Sequence, residues 1–118
     1  MKFKLVGIPY SKSKVKGDIN APKQWTEAVR KQMEFEENKI DYPCRMEVEF
    51  ILPSDKFPND FPCGPDLDNL LKRLLDALQP SFLENDSLII ELIASKRRVK
   101  KNEEPGAIVS ITEMNSYA

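Results

Sequence analysis

Residues 65–78 read PDLDNLLKRLLDAL. From Asn69 onward the apolar residues Leu70, Leu71, Leu74, Leu75 and Leu78 recur at the spacing of one helix face, and Pro80 stops the pattern. The spacing predicts a helix over residues 69–79 with a leucine stripe for the core. Its opposite face carries Lys72 and Asp76, four and eight positions after Asp68. Asp66 and Asp68 stand at its mouth. If the chain is extended there, alternate residues point the same way, so the two carboxylates project together and repel unless something positive intervenes.

Upstream, Pro53, Pro58, Pro62, Pro65 and Gly64 exclude any regular element over residues 53–65. Before them, Met46, Val48, Phe50 and Leu52 alternate with Glu47, Glu49 and Ile51, which is strand periodicity over 42–52. A helix over 22–38 is expected from Pro22 at its start and the stripe Trp25, Ala28, Val29, Gln32, Met33. Residues 9–22 are rich in Ser, Lys, Gly and Pro and read as a long loop, and residues 2–8 as a half-buried strand carrying Phe3 and Leu5. Downstream, residues 88–94 and 107–113 read as two strands, expected to form an antiparallel pair joined by a charged loop through Gly106. The order β-α-β-α-β-β implies an α+β fold, a mixed or antiparallel four-stranded sheet with two helices packed on it. At 118 residues, with 41% hydrophobic and 31% charged residues, one small domain over 1–118 is expected.

The chain contains no histidine. Serine and cysteine hydrolases with a histidine base, HExxH proteases and histidine-ligated zinc sites are therefore disfavoured. Cys44 and Cys63 lie nineteen positions apart without a CxxC, so buried free thiols are expected rather than a zinc or redox pair. No apolar run approaches the length of a membrane span and the start lacks a signal-peptide core, which implies an intracellular protein with no membrane partner. The sequon at Asn85 to Ser87 then has no meaning.

Any chemistry must then come from carboxylates and lysines. One of Asp66 and Asp68 could simply cap the helix, and the segment alone admits either a capped amphipathic helix with surface ion pairs or a metal site. Asp86 bears on the choice. It lies in the turn after the helix, just before a strand, a position from which it can return to the helix start. Three hard oxygen ligands would suit Mg²⁺ or Mn²⁺. The net charge is −1, yet Lys2, Lys4, Lys12, Lys14 and Lys16 crowd the start, and Lys96, Arg97, Arg98, Lys100 and Lys101 form a second basic run. Such runs read either as protection of strand edges or as phosphate contacts.

The stretches PDLDNLLKRLLDAL at 65–78, FLENDSLIIEL at 82–92 and SITEM at 110–114 resemble RusA endonucleases, which resolve Holliday junctions. The family pattern is approximately DxDNLxKxxxDAL, then an aspartate before a strand, then a lysine on that strand, here Lys96. The resemblance implies that Asp66, Asp68 and Asp86 bind the metal, with Lys72 as an essential accessory cation and Asn69 and Asp76 as support. It also implies Mg²⁺, for which Mn²⁺ can substitute, with no small-molecule cofactor, a four-way DNA junction as substrate, and a homodimer whose two-fold symmetry matches two equivalent strands. Lys12, Lys14, Lys16, Lys96, Arg97, Arg98, Lys100 and Lys101 would then contact phosphates. Such a protein would be cytoplasmic, nucleoid-associated, and bacterial or phage-encoded. Two departures stand out: Asn85-Asp86 replaces a double aspartate, and Cys63-Gly64-Pro65 replaces an arginine-rich run. The alternatives are a module that grips branched DNA without cutting it, and an α+β interaction domain with no nucleic-acid role.

Overall fold

The computed structural model describes residues 1–9, 21–53 and 66–114. The elements follow in the order β1 (Lys2–Val6), α1 (Ala21–Met33), β2 (Cys44–Leu52), α2 (Leu67–Leu78), a single 3-10 turn (Asp86–Leu88), β3 (Ile89–Arg98) and β4 (Gly106–Glu113). The expected α+β order is the one found.

The four strands form one mixed sheet in the order β1-β4-β2-β3. Here the pairing differs from the expected hairpin. β4 pairs antiparallel with both β1 and β2, whereas β3 pairs in parallel with β2 and is not bonded to β4. The basic segment after β3 therefore crosses over β2 instead of turning back on its own strand. β3 also runs to Arg98, past the expected end at residue 94, because it stays in register with β2 as far as Arg98 opposite Leu52.

Alternation along β2 explains which face is covered. Cys44, Met46, Val48, Phe50 and Leu52 are buried under the helices, together with Leu5, Ala107, Val109 and Ile111 from the flanking strands. α1 adds Trp25 and Val29, α2 adds Leu70, Leu74, Ala77 and Leu78, and Ile40, Phe82 and Leu83 close one end of this core. Phe3 meets Phe82 edge to face at 5.7 Å between centroids. Ile51 is the exception to alternation: it lies on the opposite face, in register with Gly106 and Arg97, and is still fully buried.

Both helices depart from their expected limits for electrostatic reasons. α1 ends at Met33, not near residue 38, because Glu34, Glu36 and Glu37 would place negative charge at the negative end of the helix dipole. The chain turns there instead, with the Glu36 amide donating to Met33 O at 3.1 Å and the Asn38 amide to Glu36 Oε1 at 3.0 Å. α2 begins at Leu67, earlier than expected, which puts Asp68 in its first turn, where the dipole favours an acid.

Polar side chains tie the layers together. Gln32, read from the sequence as part of the apolar stripe, is exposed and pairs its amide with the edge of β1. It accepts from Val6 N at 2.7 Å and donates to Val6 O at 2.8 Å. Arg30 donates from Nε to Ala77 O at 3.3 Å and from Nη2 to Asp76 O at 3.4 Å, placing a cation at the C-terminal carbonyls of α2.

Gly106 starts β4 where β1 comes closest, and a Cβ there would lie 1.9 Å from Leu5 O. The obstruction is backbone, so no rotamer change relieves it. Gly106→Ala is expected to lower stability by about 2 kcal/mol or more, the upper range for forced overpacking, in chemical denaturation. An unchanged midpoint would mean that β1 does not close on β4 at this point.

Candidate active site and nucleic-acid interface

With β4 antiparallel to its neighbours, β1, β2 and β3 all run the same way, and their C-terminal ends share one end of the sheet. In open sheets of this kind, ligands sit beyond the carboxyl ends of the parallel strands. The segment after β1, the segment after β2 and the turn between β3 and β4 all leave from that end. α2 lies in the parallel crossover from β2 to β3, so Asp66 and Asp68 stand at the start of the helix that carries the chain back.

Asp66 is the N-cap of α2 by position, with an extended backbone, but its side chain makes no capping bond. Its Oδ2 instead accepts from Asn69 Nδ2 at 3.3 Å, so Asn69 orients the acid. Asp68 is already helical, which corrects the expectation of an extended pair: the two acids project from the cap and the first turn, not from one strand face. Both are exposed. Lys72, one turn after Asp68, is exposed and forms no ion pair among the described residues. Asp76 is exposed, and its main-chain carbonyl receives Arg30.

Asp86 lies elsewhere. It opens the 3-10 turn before β3, and its amide donates to Gln79 Oε1 at 3.0 Å, while Gln79 Nε2 donates to Leu75 O at 3.0 Å. Gln79 is the C-cap of α2, and the helical rise from Asp68 to Gln79 is roughly 16 Å. Asp86 therefore does not return to the helix start within one chain. Among the described residues, no three acids or thiols are gathered closely enough to hold a metal ion. Asn85, which stands where the family resemblance implies a second aspartate, serves locally. Its Oδ1 accepts from Ser87 N at 2.8 Å and caps the 3-10 turn.

Of the basic residues, Lys12, Lys14 and Lys16 lie outside the described residues. Lys96 is half-buried on β3, and Arg98, Lys100 and Lys101 are exposed. Arg97 is engaged internally. Its Nη1 and Nη2 donate to the two Glu103 oxygens at 2.6 and 2.7 Å, and its Nε lies 3.1 Å from Glu49 Oε1. These bonds hold the Glu103 carboxyl down at about 2, first through Arg97 and then through the Lys100 amide. A depressed carboxyl pKa means that the pair contributes at neutral pH and is lost only as pH falls toward that value. Arg97 is held above its ordinary range by the same Glu103 bonds. Arg45 similarly bridges Glu47 at 2.6 Å and Glu91 at 3.3 Å on the open face of the sheet.

Sequence reasoning missed Glu49, Gln79 and Glu103. Each acts through cross-strand or cross-turn register, for which a single sequence carries no periodic signal. Cys44 is buried and free, and burial pushes its thiol up, so it is a packing residue as expected; Cys63 lies outside the described residues. Among the described residues no helix is long and apolar enough to cross a membrane.

A family model for endodeoxyribonuclease RusA matches residues 12–112. The crossover junction endodeoxyribonuclease RusA of Aquifex aeolicus (strain VF5) is 30% identical over 84 residues, 70% of this chain and 60% of that protein. The chain thus spans about 60% of the length of the curated relative it matches. The family match takes in Asp66, Asp68, Asp86 and both basic runs, apart from Lys2 and Lys4: the chain belongs to the RusA endodeoxyribonuclease family.

Proposed function

We propose that this protein is a divalent-metal-dependent endodeoxyribonuclease that resolves four-way DNA junctions by paired nicks. The observation that carries the reading is Asp66, an N-cap residue whose carboxylate makes no capping bond and is held by Asn69, beside Asp68 and one turn from the uncommitted Lys72. A structural cap would spend that carboxylate on the helix amides. Here the carboxylate takes the Asn69 side chain and leaves the helix amides alone.

Asp66, Asp68 and Asp86 are hard oxygen donors that suit Mg²⁺ or Mn²⁺. When bound, such an ion polarises the phosphodiester and acidifies the attacking water. Asp66 and Asp68 would hold the cation, Asn69 fixes the Asp66 carboxylate, and Lys72 would supply the protein's own charge for the negative oxygens that develop in the transition state. Asp76 lies one turn further along the same helix face. Lys96, Arg98, Lys100 and Lys101, together with Lys12, Lys14 and Lys16 from outside the described residues, would contact the DNA backbone and position a junction without reading its bases.

In this reading the third carboxylate comes from a second copy of the chain, since Asp86 sits at the far end of α2. β3 supports such a dimer. It is an edge strand on which Ile90, Leu92 and Ile93 remain 39%, 42% and 50% exposed, and an edge of that kind invites pairing. Antiparallel pairing of β3 across a twofold axis would carry the second copy's Asp86 toward the C-terminal strand ends, the side from which α2 departs. The symmetry would also match the two equivalent strands of a junction. A second reading, a module that binds branched DNA without cutting it, is favoured by the lack of a three-acid cluster among the described residues of one chain.

The deciding experiment is cleavage of a synthetic four-way junction against linear duplex, with Mg²⁺ or with chelator. Paired nicks are expected only with junction and metal, and Asp68→Asn should lose at least about 100-fold in rate, the scale for losing one electrostatic group in a catalytic site. Junction binding without nicking would select the binding module instead.

Mixing tests the shared site. Asp68→Asn and Asp86→Asn are each expected to be inactive alone, yet co-refolded heterodimers should regain single, unpaired nicks, since one of the two sites then keeps every acid. Sites confined to one chain would stay dead in the mixture. Saturating Mg²⁺ should raise the melting temperature of the wild type and not that of Asp68→Asn, because a ligand bound only by the folded state stabilises it; equal shifts would move the metal away from Asp68.

A further inference from the structure

The turn between β3 and β4 is held from several sides. Glu103 accepts both Arg97 guanidinium bonds and also the Lys100 amide at 2.9 Å. Val99 N donates to Leu52 O at 2.9 Å, and Glu103 N to Lys100 O at 3.1 Å. Lys4 Nζ donates to Glu104 O at 2.9 Å, and Gly7 N to Pro105 O at 3.1 Å. Asn102 completes the turn with a φ of 63°. The Lys100 and Lys101 side chains are left exposed at its tip and form no ion pair among the described residues.

The sequence suggests phosphate contact by every member of this basic run. The geometry divides the labour instead. Arg97 has its fork filled by Glu103 and its Nε turned to Glu49, and a bidentate arginine-carboxylate pair fixes both position and orientation. From this we infer that Glu103, acting through Arg97 and the Lys100 amide, is a positioning residue that presents Lys100 and Lys101 to the phosphates of the DNA, and that Arg97 itself contacts no phosphate. The inference rests on the nucleic-acid reading above and adds to it which residues of the run bind and which hold.

The consequence runs against simple charge counting. Removing an acid from a DNA-facing surface ordinarily tightens binding, since one repulsion disappears. If Glu103 positions the turn, removing its charge loosens Lys100 and Lys101 and weakens binding.

The test is equilibrium binding of a fluorescent four-way junction by the full chain, in chelator to prevent cleavage, over a range of NaCl concentrations. Lys100→Ala/Lys101→Ala is expected to weaken binding and to lower the slope of log affinity against log salt by about two, one for each phosphate no longer neutralised. Glu103→Gln is expected to weaken binding about three- to tenfold, less than the double lysine variant, with a slope close to wild type because the lysines are displaced, not deleted. Arg97→Lys keeps the charge but not the fork, so it should weaken binding in the same way, and it serves should Glu103→Gln fail to fold. Faster hydrogen exchange at the Lys100 amide in either variant would report the loosened turn directly.

Tighter binding and a steeper slope in Glu103→Gln would overturn the inference, because it would mean that a released Arg97 grips phosphate. An unchanged slope in the double lysine variant would overturn it too. If wild type bound no junction at all, the nucleic-acid reading itself would fall, and this inference with it.

Discussion

β4 lies between β1 and β2, and most of the architecture follows from that insertion. A central strand antiparallel to both neighbours forces β1 and β2 to run the same way, and β3 joins them in parallel on the far side of β2. Strands that run the same way cannot be joined by tight turns, so each needs a crossover, and α1 and α2 lie in those crossovers. They cover the face that buries Met46, Val48 and Phe50. Gly106 is where this arrangement is tightest, since the close approach of β1 leaves no room for a side chain.

The same constraint distributes the chemistry. Three connections leave from the C-terminal ends of β1, β2 and β3: the first carries Lys12, Lys14 and Lys16 in sequence, the second leads to α2, and the third carries Lys100 and Lys101. The return helix then separates Asp66 and Asp68 from Asp86 by its whole length. One chain thus holds two parts of an acid set at opposite ends of a rigid element, and rigid elements do not fold back. In the function proposed above, a second copy of the chain would reunite them.

Charge is arranged as much to hold as to bind. Arg30 closes the end of α2, Arg45 ties β2 to β3, and Arg97 ties β3 to the turn before β4. The near-neutral net charge therefore understates the local cationic surface. A count of arginines also overstates what is available, because Arg45 and Arg97 are already matched by glutamates. Lys72, Lys100 and Lys101, by contrast, carry no ion pair among the described residues.

Periodicity was enough to locate each helix and strand found among the described residues, because apolar spacing of 3.6 and 2 residues is written locally. The leucine stripe of α2 and the alternation of β2 are the clearest cases. The DxDN segment with Lys72 four residues on was legible for the same reason, since those residues are neighbours along one helix turn. Pairing was not legible: nothing in the composition of β3 and β4 says that β4 bonds to β1 and β2, because register is decided by which faces must be buried together. Nor could spacing reveal that Gln79 ties Asp86 to the C-terminal end of α2, or that Arg97 is consumed by Glu49 and Glu103. Local sequence determined the elements and the acids they carry. Long-range packing alone decided which of those acids and bases meet, because distance across a fold depends on strand order and not on separation along the chain.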